Sequence, residues 1–152
     1  MALYFVQHGV ALLKEGCSER SLSLDGETSV VCVANHLKQH GLVLSGICHS
    51  GKLRARQTAE IFAQILTVKT VTALAGMNPT DDVAAFLKNL EVDDIMFVGH
   101  LPHLEKVVSY ILTGRENAAV VKFTNSTVVC IEKVEAEFYI DWILSPAICQ
   151  FE

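Results

Sequence analysis

No apolar run in the 152 residues approaches the roughly 20 that a membrane-spanning helix requires, so no membrane partner is expected. The chain also lacks a basic leader and small-residue cleavage site before its first strand-like segment, and a cytoplasmic location is expected. Basic residues are few and unclustered: 12 Lys and Arg against 17 Asp and Glu give a net charge of −5. A nucleic-acid surface begins with clustered Lys and Arg, so that class of partner is not expected. Cysteine pairing is missing too. Cys17, Cys32, Cys48, Cys130 and Cys149 are odd in number and spread out, and no Cys-x-x-Cys occurs. Neither a disulfide framework nor a zinc knuckle follows, and free thiols in a reducing compartment are expected. No repeat, linker or low-complexity stretch interrupts the chain, so residues 1–152 are read as one domain.

What is present suits a compact core. Hydrophobic residues make up 51% and charged residues 19%, and a chain of this length buries roughly 70% of its unfolded surface. Strand-length apolar runs alternate with amphipathic stretches. "ALYFV" (2–6) reads as a strand and residues 25–41 as a helix, with Val30, Val33, Ala34 and Leu37 on one face and Gly41 as its stop. Residues 44–50 form a short strand leading into a helix at 51–66, with Ile61, Phe62 and Ile65 on its apolar side. A helix over 80–90 is capped by Thr80 or Asp81, a strand covers 94–100, and a helix over 102–114 closes at Gly114. Residues 118–134 and 138–144 are β-rich, with Asn125-Ser126 as a hairpin turn. This alternation predicts a three-layer α/β/α sandwich, its sheet mostly parallel with at least one antiparallel strand.

Three of these strands end in polar residues: Gln7-His8-Gly9, Ser50-Gly51-Lys52 and Gly99-His100. In open α/β sheets, ligands bind beyond the carboxyl ends of the strands, where helix N-termini also offer donors to anions. Two histidines and Arg54, in the first turn of its helix, can therefore meet around one ligand. A neutral imidazole attacks phosphorus, while an Arg and a cationic His offset charge on the phosphoryl oxygens. The set predicts phosphoryl transfer without a metal.

At these residues the chain resembles the histidine phosphatase (phosphoglycerate-mutase-like) superfamily, and most closely its short, single-domain SixA-like phosphohistidine phosphatases. His8 and Gly9 match an Arg-His-Gly motif after the first strand, whose His becomes phosphorylated. "SGKLRARQT" (50–58) matches a Ser-x-x-x-Arg-Ala-x-Gln-Thr stretch that supplies a phosphate-binding Arg. "GHLP" (99–102) matches Gly-His-x-Pro, and "LSLDGE" (22–27) is similar to the Leu-Thr-x-x-Gly entry to the first helix. The resemblance implies a phosphatase with His8 as nucleophile, Arg54 as phosphate clamp and His100 as a cationic partner. Gln7 and Gly9 are expected at the phosphate, Gly9 because a Cβ would crowd it. Ser50, Lys52 and His103 are expected on the rim. It further implies no cofactor, and as substrate either phosphohistidine on a partner protein or a small phosphoramidate or phosphate ester.

The chain departs from the pattern at Gln7, where the family has Arg, at Gly51, where it often has Pro, and at Ala73, where it often places an acid. A missing acid suits phosphohistidine better than a sugar phosphate, because the P–N bond leaves more readily than an alkoxide. Gln7 keeps open a phosphate-binding module with weak or no turnover. "CHSGKLR" (48–54) has Cys-x5-Arg spacing, which keeps open a phosphatase dependent on Cys48. Opposite demands on His8 (neutral) and His100 (protonated) predict a bell-shaped pH profile. His49 is expected at the surface.

Overall fold

In the computed structural model, which describes residues 1–13 and 19–149, the alternation read from the sequence becomes a single six-stranded sheet. Cys17 lies outside the described residues. Four strands run parallel: β1 (Ala2–Gln7), β2 (Gly46–His49), β3 (Val71–Ala73) and β4 (Ile95–Gly99). β5 (Val128–Val134) and β6 (Glu137–Leu144) add two antiparallel strands at one side, in the order β3-β2-β4-β1-β5-β6. β1 and β4 thus lie side by side at the centre, and Gln7 is level with Gly99. The residues that follow them, His8 and His100, are delivered to the same edge.

Successive residues of a strand face opposite sides, so β1 feeds two cores. Tyr4 and Val6 pack with α1 (Leu24–Gln39) and α2 (Leu53–Leu66), through Val30, Val33, Ala34, Leu37, Ala55, Ala59 and Phe62. Leu3 and Phe5 pack with α3 (Val83–Phe86) and α4 (His103–Thr113), through Phe86, Leu104, Val107 and Val108. A short α5 (Pro146–Cys149) completes the first layer. The Ser23 side chain accepts from the Gly26 amide and caps α1, and left-handed Gly114 ends α4. Gly114 ends its helix where the sequence places it; the Ser23 cap was not read from the sequence.

Two segments differ from expectation. The helix over 80–90 shrinks to α3 followed by a 3-10 turn at Leu87–Asn89, with Asp82 as its cap. The Asp81 side chain accepts from the Asn78 amide at 2.8 Å, closing a turn that delays the helix. Residues 118–127 are not a strand. They pass over α4, held by the Ala118 amide on Ser109 Oγ at 3.0 Å, and bury Phe123. The Asn125-Ser126 turn exists, with Ser126 at φ 68°, but the β hairpin turns at Glu135-Ala136 instead.

Candidate active site

Three strand ends and the first turn of α2 build the site. The His8 Nδ1–H donates to the Gly9 carbonyl at 2.7 Å, which leaves Nε2 with its lone pair. Arg54 Nε donates to that Nε2 at 3.2 Å. The His8 and His100 rings lie 4.9 Å apart, centroid to centroid. Ser50, just beyond β2, shares a 2.6 Å hydrogen bond between its Oγ and His100 Nε2, and accepts from the Lys52 amide at 3.3 Å. A nucleophilic nitrogen, a guanidinium and a second imidazole therefore converge at one sheet edge, and they can accept, clamp and offset the charge of a tetrahedral oxyanion.

The loop carrying His8 is fixed from three sides. Thr58 Oγ1 accepts from the Gly9 amide at 3.0 Å and donates to the Arg54 carbonyl at 2.8 Å, tying nucleophile loop to clamp helix. Gln57 Oε1 accepts from the Leu22 amide at 2.8 Å. Asn125 donates to the His8 carbonyl at 3.0 Å, and the Ser126 amide to the Gln7 carbonyl at 2.9 Å. Gly9 is required for a reason other than the phosphate. A Cβ there would meet Val30 Cγ2 at 2.8 Å and the Gly26 carbonyl at 3.1 Å, so it is α1 that demands the glycine. Gly26 in turn lets α1 pass against the Val10 backbone.

Burial governs the electrostatics. Desolvation pulls His8 down to about 4, against the Gly9 hydrogen bond that raises it, with Arg54 and Arg20 lowering it further. Desolvation also pulls His100 down to about 3, assisted by His8, Arg54 and Lys52. Arg54 is lowered by burial and then by Arg20. Both imidazoles are thus neutral in the free protein at neutral pH, which corrects the expected division into one neutral and one cationic histidine. The bell gives way to a single acid limb. We expect kcat/KM on phosphohistidine substrates to stay level within about threefold from about pH 5.5 to 8.5, and to fall only as His8 gains a proton near the low pH that its burial sets. An acid limb centred near 6.5 would show His8 to be solvated, contrary to the structure.

Other expectations divide. Lys52 and Ser50 lie at the site. His103 does not form its rim: it is fully buried at the start of α4, edge-on to Phe86 at 5.3 Å. Gln7 is half-buried, and its Oε1 has no hydrogen-bond partner. His49 is buried rather than surface-exposed, with Nδ1 accepting from the Gly51 amide at 3.0 Å. Cys48 packs with the α3/α4 core, on the face of the sheet away from Arg54, and burial raises its thiol pKa. A protonated thiol on the wrong face cannot act as the nucleophile of a Cys-x5-Arg loop. Ala73, at the exposed end of β3, brings no acid. Among the described residues no group of three or more His, Cys, Asp or Glu is arranged to hold a metal ion.

This architecture and this site define a class. The chain belongs to the histidine phosphatase superfamily, with its phosphoglycerate-mutase-like fold, and its structural neighbours there are phosphatases. It is similar to a structure of the protein histidine phosphatase SixA complexed with tungstate, at 25% identity and TM-score 0.86, covering 99% of this chain and 100% of that one. The fold is shared with a phosphoserine phosphatase mutant from Entamoeba histolytica in complex with phosphoserine (TM-score 0.73, 16% identity, 95% and 97% covered). It is shared also with the alpha-ribazole phosphatase from Shigella flexneri (TM-score 0.79, 12% identity, 96% and 97% covered). In sequence, an uncharacterized protein of Picosynechococcus sp. (strain PCC 7002) is 37% identical in an alignment 124 positions long that covers 76% of this chain and 75% of that protein. No family model matches the chain.

Proposed function

We propose that the protein is a cytoplasmic phosphohistidine phosphatase acting through a phospho-His8 intermediate, on phosphohistidine carried by a partner protein. The observation that carries this reading is the bonding of His8: Nδ1–H is held by the Gly9 carbonyl and Nε2 faces Arg54. The Nε2 lone pair attacks phosphorus, the P–N bond to the substrate imidazole breaks, and its electron pair returns to that nitrogen, which takes up a proton. Arg54 turns from Nε2 to the phosphoryl oxygens. His100 stays neutral, and its ring, bonded through Nε2 to Ser50 Oγ, stands beside the phosphoryl oxygens. Water then attacks phosphorus, the bond to Nε2 breaks, and phosphate leaves with His8 restored.

The leaving group decides the substrate class. Every group that shifts His8, His100 or Arg54 electrostatically is a cation or another histidine: Arg20, Lys52, Arg54, His8 and His103. No carboxylate is among the groups that act on them, and on this reading the site lacks an acid for an alkoxide leaving group. A general acid contributes typically 10²–10⁴-fold, so esters should suffer and P–N bonds should not. We expect kcat/KM for phosphohistidine to exceed that for phosphoserine by about 10²-fold or more. Equal values for the two would sink the phosphohistidine assignment while leaving a phosphatase.

Gln7 favours a second reading, a phosphohistidine-binding module with slow turnover. Its amide brings no charge to the transition state, where the family's Arg would contribute a charge-assisted bond. Burst-phase formation of phospho-His8 followed by turnover separates the enzyme from the binder.

A further inference from the structure

Between β1 and α1, residues 10–12 and 21–23 pair as a short double strand beside the nucleophile. Ala11 bridges Leu22, the Leu12 amide donates to the Ser21 carbonyl at 2.8 Å, and the Ser23 amide to the Val10 carbonyl at 2.9 Å. Arg20 Nε donates to the Leu12 carbonyl at 2.8 Å, and Gln57 holds Leu22 from below. These residues nevertheless turn large apolar side chains to solvent. Leu13 is 87% exposed, Leu24 79%, Leu12 53% and Val10 44%. Leu13 and Leu24 therefore contribute little burial to the fold. Exposed apolar side chains carried by one short stretch of chain beside a functional site mark an interaction surface.

The charges at the same place say what the surface meets. Arg20, Lys52 and Arg54 stand around His8 and His100, and the ion pairs among the described residues involve none of the three. This positive mouth complements a phosphoryl dianion, and its apolar lip begins at Val10, two residues from the nucleophile. A phosphohistidine side chain is short, so a protein that seats its phosphoryl group on His8 brings its own surface over the lip. We propose that Val10, Leu12, Leu13 and Leu24 form a docking ledge for a folded protein whose phosphohistidine is flanked by exposed apolar side chains. The proposal rests on the phosphohistidine reading above. Burial of the ledge then lowers KM for the phosphoprotein and leaves the chemistry at His8 unchanged.

The test uses the doubly substituted Leu12→Glu, Leu13→Glu protein and the single Leu13→Glu protein. Both positions are exposed, and unchanged thermal unfolding confirms the fold. Two probes are compared: phosphoramidate itself, and a phosphotransfer domain phosphorylated on its histidine with phosphoramidate. The expected result is a loss of at least tenfold in kcat/KM on the phosphoprotein, carried by KM, with turnover of phosphoramidate within twofold of the wild type. Parallel loss on both probes, or no loss on the phosphoprotein, overturns the ledge. So does a wild type that gains nothing from the protein carrier, or a change in oligomeric state by sedimentation, which would make a second copy the occupant. Wild-type protein inert toward both probes would sink the enzymatic reading instead. Docking is then read by calorimetric titration of the same phosphoprotein, and equal affinity for wild-type and doubly substituted proteins overturns the ledge in that case.

Discussion

His8→Ala should reduce phosphatase turnover by about 10⁴-fold or more, with substrate affinity changed far less. Removing the nucleophile of a covalent mechanism forces water to attack the substrate directly, and losses of this order follow when such a unit loses its nucleophile. The affinity should survive because Arg54, Ser50 and His100 remain in place around the phosphoryl site. Steady-state kinetics on a phosphohistidine substrate read both quantities. The substitution should not unfold the protein: His8 lies at the end of β1, and its desolvated ring opposes stability at low pH. Its folded pKa of about 4 lies below the unfolded value near 6.5, so the contribution is fully present above pH 6.5 and lost as pH falls toward 4. Retained activity within tenfold would mean that another group attacks.

Arg54→Ala should lower kcat/KM by about 10²–10³-fold, the range for removing one preorganised donor to a developing oxyanion. Two features push the effect to the upper end. Gln7 contributes a neutral amide where a second guanidinium would share the load, and His100 enters the reaction uncharged because burial holds it near 3. Arg54 also orders His8 before substrate arrives, through the 3.2 Å bond to Nε2. Arg54→Lys should recover only part of the loss, since an ammonium restores charge but not the planar fork. Full recovery by Lys would show that charge alone matters and that the donor geometry is idle.

Much of this site was legible because it follows from strand endings. Buried parallel strands read as near-continuous apolar runs, so β1 and β4 announce themselves, and the polar residues after them fall on one edge. Arg54 was legible for a related reason, as part of a helix start after β2. What the sequence hid depends on contacts across long separations. Asn125, which holds the His8 carbonyl, lies 117 residues away in a segment whose valines imitate a strand. Thr58 and Gln57 matched a motif, but only the folded chain shows them bonding the Gly9 and Leu22 amides. Burial was equally opaque for His49 and His103, because a polar residue type says nothing of the side of the sheet it meets. Arg20 carried no motif, and its influence on His8 appears only once the β1–α1 connection folds back over α2.

The most direct measurement is labelling of the protein by a radioactive phosphoramidate donor, followed by mapping of the modified residue. One acid-labile, base-stable phosphoryl group is expected on His8 Nε2, present in Cys48→Ser protein and absent from His8→Ala. Label that persists in His8→Ala protein, or vanishes with Cys48→Ser, would contradict the phospho-His8 intermediate.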